Sequence, residues 1–204
     1  MDFRGQRAAI FGCGPIGLFS VLLAQNFGAA KVIAVDVNKN NLAIAKKLGA
    51  HETILIPKVK KNFEWESDKS VVGRIMELTY GKGVDISMEM AGAFSSVNNS
   101  IDSARRGGHV ILFGIKDGDL VIPKFSRVIV RGLTIHNIIG REIFRTWQIA
   151  QRILNDKTNG IQEAIWNVIL KKGKGTIFSF KDFTPAKFEK AMNENPKIIF
   201  KING

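Results

Sequence analysis

Short apolar runs alternate with amphipathic stretches along the first 115 residues of the chain. Continuous apolar runs of this length are typical of strands buried on both faces of a parallel sheet. The stretches between them repeat apolar residues at helical spacing, as from Pro15 to Phe27 before Gly28. The predicted strands are 8–11, 32–35, 53–56, 84–88 and 109–113, and the predicted helices are 15–27, 38–48, 71–79 and 95–104. This alternation predicts an α/β fold, a doubly wound parallel sheet with right-handed crossovers.

The alternation becomes less regular after Gly118. The sequence predicts a turn at 128–130, a strand at 133–136 and a helix at 144–156. Beyond residue 157 it predicts strands at 176–178 and 198–200 and a helix that begins at Thr184-Pro185. The largely polar segment 57–69 opens with a proline and predicts a loop. We therefore expect one domain over residues 1–157 and a C-terminal extension over 158–204.

A glycine-rich turn follows the first predicted strand. Gly12-Cys13-Gly14-Pro15-Ile16-Gly17 matches G-x-G-x-x-G between a strand and a helix, which is the context in which the motif binds dinucleotides. Gly12 permits the tight turn, Gly14 lets the backbone approach a diphosphate, and Gly17 lets the helix pack closely on the strand. The free N–H groups at the start of the helix then face the phosphates. The turn predicts a Rossmann-type dinucleotide-binding domain.

Asp36 ends the second predicted strand, 19 residues after Gly17. A carboxylate at this place accepts hydrogen bonds from the adenosine ribose hydroxyls and repels a 2′-phosphate. The sequence therefore favours NAD over NADP as the cofactor. S-adenosylmethionine, whose enzymes also use a glycine-rich first turn followed by an acid, stays open as an alternative ligand.

The cysteine and the histidines do not form a pattern that indicates catalysis. Cys13 has no histidine or lysine beside it that would activate a thiolate, so we interpret it as a small residue that fills the turn. As the only cysteine, it excludes an internal disulfide framework and a multi-cysteine zinc cluster. His51, His109 and His136 lack metal-ligand spacing and are interpreted as structural.

The net charge of +12 raises the question of a nucleic-acid or membrane partner. Residues 1–140 contain 18 Lys and Arg against 12 Asp and Glu, and residues 141–204 contain 12 against 6. This even spread favours a solvated surface, and nucleic acid is kept as the less favoured partner. The apolar runs are too short for a membrane span and the first residues do not resemble a signal peptide, so we expect a soluble, cytoplasmic protein.

Several longer motifs resemble medium-chain zinc-dependent alcohol dehydrogenases, in their cofactor-binding portion. The motifs are the glycine-rich turn, the segment 36–50, the strings at 88–93 and 107–115, and the string at 131–147 that ends in Gly-Arg-Glu-Ile-Phe-Arg-Thr-Trp. The last string is most similar to the L-threonine 3-dehydrogenase branch of that family. The resemblance covers nearly the whole chain, apart from an expected insertion around residues 159–172.

The resemblance implies a cofactor-binding role for residues beyond the glycine-rich turn. It implies that Pro15 and Ile16 lie beside the phosphates and that Asp36 holds the ribose. It implies that the 113–115 loop (Phe113, Gly114, Ile115) and Ile138-Ile139 lie along the nicotinamide. Family members usually carry arginine near the adenine where this chain has Asn41, which implies weaker adenine contacts here.

The resemblance also implies a further domain in full-length relatives. Those enzymes carry a GroES-like catalytic domain that holds the reactive zinc, and the extension 158–204 would pack on it. The implied whole-enzyme reaction is oxidation of L-threonine to 2-amino-3-oxobutanoate with NAD, in a homo-oligomer paired through the strand at 133–136. Without that domain this chain is expected to bind NAD and turn nothing over. A non-catalytic NAD-binding or scaffold module, and a dehydrogenase of a polyol or another alcohol, are the alternatives.

Overall fold

The computed structural model describes residues 2–140 and 142–202. Met1, Arg141, Asn203 and Gly204 lie outside the described residues, and Arg141 is part of the family-like string at 131–147. The chain divides into two compact units, 1–140 and 141–204. The expected domain boundary at residue 157 concerns the organisation of full-length relatives and stays a prediction.

The first unit is built on a six-stranded sheet with the order β3-β2-β1-β4-β5-β6. Every neighbouring pair of strands in it is parallel, so the predicted doubly wound parallel sheet is confirmed. The order reverses between β1 and β4, which is where ligands bind in open sheets of this kind. The strands are β1 Arg7–Phe11, β2 Lys31–Asp36, β3 Glu52–Leu55, β4 Val84–Glu89, β5 Ala104–Leu112 and β6 Thr134–Asn137.

Five helices connect these strands, and their ends follow the signals in the sequence. Pro15 opens α1, and the Asn38 side chain accepts a hydrogen bond from the Asn40 N–H (2.8 Å) at the start of α2. The helices are α1 Pro15–Asn26, α2 Lys39–Lys47, α3 Lys69–Leu78, α4 Phe94–Ser103 and α5 Ser126–Val130. No helix within 2–140 or 142–202 is long and apolar enough to cross a membrane.

The structure differs from the predicted elements at two places in this unit. The Val-Ile-Val segment at 128–130, predicted as a turn, ends the short helix α5. Gly132, at φ +59°, follows that helix and lets the chain reverse into β6. The strand predicted at 109–113 begins earlier, because Ala104 already pairs with Val84 before an irregularity in the register.

The core lies on both faces of the sheet. One cluster packs α3 against the strands through Val71 and Ile75, and another packs α4 and α5 against β5 through Ile101 and Val128. The strands β1 and β2 are almost wholly buried, as the continuous apolar runs predict. The sheet therefore supplies a rigid base for the loops at the carboxyl ends of its strands.

Over residues 142–202, the second unit contains three α-helices and a two-stranded parallel sheet. Five phenylalanine rings at 178, 180, 183, 188 and 200 form a chain of contacts with centroids 5.7 to 6.2 Å apart. Thr184 accepts a hydrogen bond from the Lys187 N–H (3.3 Å) at the predicted start of the last helix. The sequence does not predict the helical segment at 161–169. The elements are α6 Arg145–Asn155, α7 Ile161–Ala164 followed by a π-helical turn at 165–169, β7 Ile177–Ser179, α8 Pro185–Glu194 and β8 Ile199–Lys201.

Candidate functional site

The glycine-rich turn joins β1 to α1, and its three glycines have different surroundings. Gly12 has φ +91°, and a Cβ placed there would lie 2.8 Å from Cβ of Ala91. A Cβ on Gly17 would overlap the carbonyl oxygen of Gly12, so the helix can lie this close to the turn only with glycine at 17. A Cβ on Gly14 would meet nothing within 4 Å. The backbone at Gly14 is therefore open to a ligand.

The first turn of α1 presents hydrogen-bond donors at this opening. Gly14 is the N-cap residue, and no described side chain caps the helix. The first N–H groups of an uncapped helix lack partners within the helix and attract anions. Pro15, Ile16 and Gly17 are the first three residues of α1, and the Ile16 side chain is 46% exposed beside the opening. This arrangement fits a diphosphate.

Asp36 lies at the carboxyl end of β2, next to the turn, and is buried. Its Oδ2 accepts a hydrogen bond from the Cys13 backbone N–H (2.5 Å), and its Oδ1 accepts one from the Asn38 N–H (2.6 Å). Each carboxylate oxygen has a second acceptor position, which a ribose hydroxyl can use. The carboxylate therefore holds the turn in place and also fits the predicted contact with the ribose.

Two side chains near Asp36 lie where the sequence predicts the adenosine. Val37 follows the carboxylate and is 65% exposed, so it presents an apolar surface that a base can cover. Asn41 is the third residue of α2 and is half-buried. The sequence predicts Asn41 near the adenine, and this role stays a prediction; Val37 is not among the predicted contacts.

The environment of Cys13 supports the interpretation that it fills the turn. Its side chain is fully buried, and Sγ lies 3.7 Å from the carbonyl oxygen of Val35. Burial, together with the negative charge of Asp36, raises the pKa of the Cys13 thiol to about 12. The thiol is therefore protonated and inert at neutral pH.

We expect native Cys13 to resist a thiol reagent such as 5,5′-dithiobis(2-nitrobenzoate) at pH 8, and the urea-unfolded chain to react at once. Because the folded pKa is raised, the stability linked to this thiol is present below pH 9 and is lost as the pH rises from about 9 towards 12. The free energy of unfolding should fall less steeply over this range in Cys13→Ala than in the wild type. Equal slopes, or rapid labelling of the native chain, would contradict this assignment.

The residues predicted at the nicotinamide line one cleft at the carboxyl ends of β5 and β6. The cleft has a volume of about 280 Å³. It is lined by Phe113, Gly114, Ile115, Ile138 and Ile139, together with Gly92, Ala93 and Phe94 from the loop after β4. The structure thus brings together five residues that sequence analysis took from two separate segments. Their role in binding the cofactor stays a prediction.

Glu89, which sequence analysis did not select, holds two walls of this cleft together. It ends β4 and is fully buried. Its Oε1 accepts hydrogen bonds from the N–H groups of Ala91 (2.8 Å) and Gly92 (2.9 Å) and from the Ser96 hydroxyl. Its backbone carbonyl accepts from the N–H of Phe113 (3.1 Å). One residue therefore fixes both the 91–94 loop and the 113–115 loop.

The cleft wall at Gly114 is the most crowded point of this arrangement. A Cβ on Gly114 would overlap the backbone nitrogen of Gly92 and would lie 2.5 Å from Oε2 of Glu89. That carboxylate oxygen is buried and has no hydrogen-bond partner among the described residues. Glycine at 114 thus allows the loops after β4 and β5 to touch.

The polar residues of α4 hold neighbouring loops in place. Asn98 Nδ2 donates to the carbonyl oxygens of Trp65 (2.7 Å) and Val121 (2.9 Å). Asn99 Nδ2 donates to Oδ2 of Asp68 (2.9 Å). These contacts fix the loops around residues 65 and 121, whereas the Ser96 hydroxyl donates to Glu89 beside the cleft.

The histidines pair with the backbone or with each other. His51 Nδ1 accepts a hydrogen bond from the Val32 N–H (3.0 Å), and Nδ1 of His109 lies 3.1 Å from Nε2 of His136 across β5 and β6. Within residues 2–140 and 142–202, no group of three or more His, Cys, Asp or Glu side chains could hold a metal ion.

Comparison with known proteins places this geometry in a family. The model of the family described as zinc-binding dehydrogenase matches residues 15–156. L-threonine 3-dehydrogenase of Bacillus licheniformis is 32% identical over 161 residues, which are 79% of this chain and 44% of that protein. L-threonine 3-dehydrogenase of Bacillus subtilis is 37% identical over 150 residues, 73% of this chain and 40% of that protein. The chain spans about two fifths of the length of these relatives.

Solved structures share the fold along almost the whole chain. A putative zinc-binding dehydrogenase from Clostridium scindens gives a TM-score of 0.77 at 21% identity and covers 98% of this chain and 51% of that one. An alcohol dehydrogenase zinc-binding domain protein from Burkholderia ambifaria gives a TM-score of 0.73 at 25% identity and covers 98% of this chain and 50% of that one. Because the family model matches more than half of its residues, the chain belongs to the zinc-binding dehydrogenase family.

Proposed function

We propose that this chain is the NAD-binding part of a threonine-dehydrogenase-like oxidoreductase. In the whole enzyme, C3 of L-threonine gives a hydride to NAD and its hydroxyl gives up a proton, which yields 2-amino-3-oxobutanoate and NADH. The observation that carries the proposal is the open backbone at Gly14 beside the Asp36 carboxylate. The similarity to L-threonine 3-dehydrogenases supports the substrate, and a polyol or another alcohol is the alternative.

The catalytic zinc of such an enzyme polarises the alcohol for hydride transfer. We propose that the remainder of the whole enzyme holds this ion, and that the chain of residues 1–204 alone binds NAD without oxidising threonine. The exposed rings of Phe180 and Phe183 in the second unit fit a surface that packs on that remainder. Threonine oxidation by the purified 204-residue chain would contradict this part of the proposal.

We also propose that the whole enzyme is a homo-oligomer paired through β6. This strand lies at the edge of the sheet, in line with the family resemblance, and its outer backbone groups can pair with a second copy. The first residue of the strand, Thr134, is exposed. Sedimentation at several concentrations tests this pairing.

Calorimetric titration of the purified chain with NAD and NADP tests the cofactor. We expect NAD to bind more tightly than NADP, and Asp36→Ala to lose at least about tenfold in NAD affinity, the equivalent of one strong hydrogen bond. Asp36→Asn keeps an acceptor oxygen and should lose less. Asn41→Arg, which restores the residue usual in the family, should tighten NAD binding.

Circular dichroism and thermal melting of each variant separate lost binding from lost folding. A folded Asp36→Ala variant that binds NAD as the wild type does would contradict the assigned role of the carboxylate. Failure of the folded wild-type chain to bind either nucleotide would contradict the proposed function and favour a scaffold module. Tight binding of S-adenosylmethionine in place of NAD would change the ligand class.

A further inference from the structure

A second cleft, of about 460 Å³, lies at the opposite end of the sheet from the glycine-rich turn. It is found where β4, β5 and β6 begin, whereas the cofactor residues follow the ends of the strands. Its polar lining consists of Lys82, Asp102, Arg105, Arg106 and Arg131. Four of these five side chains are cationic, so this cleft has a strongly positive lining.

Most of this positive charge is not neutralised by neighbouring carboxylates. Arg105 forms an ion pair with Asp85. The one acid of the lining, Asp102, is paired with Arg127, 3.0 Å from its Oδ1. Lys82 and Arg106 form no ion pair among the described residues, and both are exposed. Arg106 Nη1 donates only to a backbone carbonyl, that of Val130 (3.4 Å), so the cleft carries cations without a carboxylate partner that can bind an anion.

Arg131 gives the cleft a fixed cationic group. Its Nη1 donates to the carbonyl oxygen of Ile101 (3.1 Å), and its Nη2 donates to those of Asp102 (3.4 Å) and Ala104 at the end of α4. Burial lowers the pKa of Arg131. The negative charge of Asp102 raises this pKa, whereas the positive charges of Arg127 and Arg106 lower it further. The hydrogen bonds hold the guanidinium close to other positive charges that repel it, and a bound anion would relieve that repulsion.

We propose that this cleft binds a small polyphosphate anion of the size of pyrophosphate, through Lys82, Arg106 and Arg131. Arginine presents several N–H donors in a plane and suits phosphate oxygens, and lysine adds a point charge. The remaining described residues of the lining are Met76 and Gly81, so the cleft offers no aromatic ring on which a nucleic-acid base could stack. A compact anion therefore fits the cleft better than a single-stranded nucleic acid.

The proposed anion site and the cofactor site have different lining residues. The inference does not depend on the proposed function, because it uses none of the residues assigned to NAD. It gives a physical reason for part of the +12 charge, which the cofactor site leaves unexplained.

Titration calorimetry with inorganic pyrophosphate at constant ionic strength tests the proposal. The test variant is Lys82→Gln/Arg106→Gln, which removes two exposed side chains and leaves Arg105 and Arg131 with their partners. The matched control is Lys47→Gln/Lys58→Gln, which makes the same change in net charge at exposed residues outside the cleft. Because pyrophosphate can also enter the glycine-rich turn, Gly14→Ala is titrated as well.

We expect pyrophosphate to bind the wild type, the lysine control and Gly14→Ala with similar affinity, and to bind Lys82→Gln/Arg106→Gln at least about tenfold more weakly. Four results would overturn the proposal. The first is that the folded wild type does not bind pyrophosphate, and the second is that the test variant binds it as tightly as the wild type. The third is that the lysine control loses as much affinity as the test variant, and the fourth is that Gly14→Ala alone loses affinity. If a duplex DNA oligonucleotide bound the wild type more tightly than pyrophosphate at the same ionic strength, and the test variant did not bind it, the cleft would be assigned to nucleic acid.

Discussion

Gly17→Ala is expected to destabilise the first unit by more than about 4 kcal/mol, which is at the upper end of single-substitution effects. The added Cβ would overlap the carbonyl oxygen of Gly12, and neither backbone segment can move without separating α1 from β1. Urea unfolding followed by circular dichroism measures this loss. The expected result is a chain that is largely unfolded or retains only part of its cooperative transition.

Gly14→Ala is the matched control for this prediction. Gly14 has φ −67° and ψ −170°, which alanine adopts readily, and its Cβ would meet open space. The free energy of unfolding of this variant should lie within about 0.5 kcal/mol of the wild-type value, which is the range of ordinary surface substitutions. Because the methyl group stands where a diphosphate would approach the backbone, NAD binding should nevertheless be lost. Equal stability of the two alanine variants would contradict the packing argument.

Glu89→Ala is expected to cost about 3 kcal/mol of the free energy of unfolding, because it leaves two backbone N–H groups and one hydroxyl without their buried acceptor. Both loops that line the cleft depend on this residue, so NAD affinity should fall as well. Urea unfolding and calorimetry on the same samples measure the two effects.

Two further variants test whether the hydrogen bonds of Glu89 cause that loss. Glu89→Gln keeps the side-chain volume and one acceptor oxygen, and Ser96→Ala removes one of the three donors. Each should cost about 1 kcal/mol, the net value of a typical hydrogen bond. If Glu89→Ala were as stable as Glu89→Gln, the carboxylate would not organise the cleft and the prediction would be wrong.

The parts of the site that depend on local sequence could be predicted. Gly12, Gly14 and Gly17 fall in one turn, and their conformational needs follow from their spacing around the strand and helix. Asp36 could be found because it ends a continuous apolar strand. The alternation of buried strands and amphipathic helices fixed the parallel sheet in the same way, since each element is a run of residues adjacent in the chain.

The parts that depend on contacts distant in sequence could not be predicted. In the sequence, Glu89 is simply a polar residue at the end of an apolar strand. Its hydrogen-bond partners include backbone N–H groups, which every residue except proline has, so they give no signal in the sequence. Asn98 and Asn99 look like helix-capping residues until the loops around 65 and 121 are placed beside them. The helix at 126–130 ends in three β-branched residues, which disfavour a helix, so the sequence predicts only a turn at 128–130.

The hydrogen bonds that Asp36 accepts from two backbone N–H groups have a consequence for how the proposed cofactor preference can change in evolution. Acquiring NADP in a site of this kind usually means removing the acidic residue. Here that single substitution would also leave the backbone N–H groups of Cys13 and Asn38 without a hydrogen-bond acceptor. A descendant that changes its cofactor must therefore first gain another acceptor for the turn, so compensating mutations at neighbouring positions are expected to precede the loss of the acid.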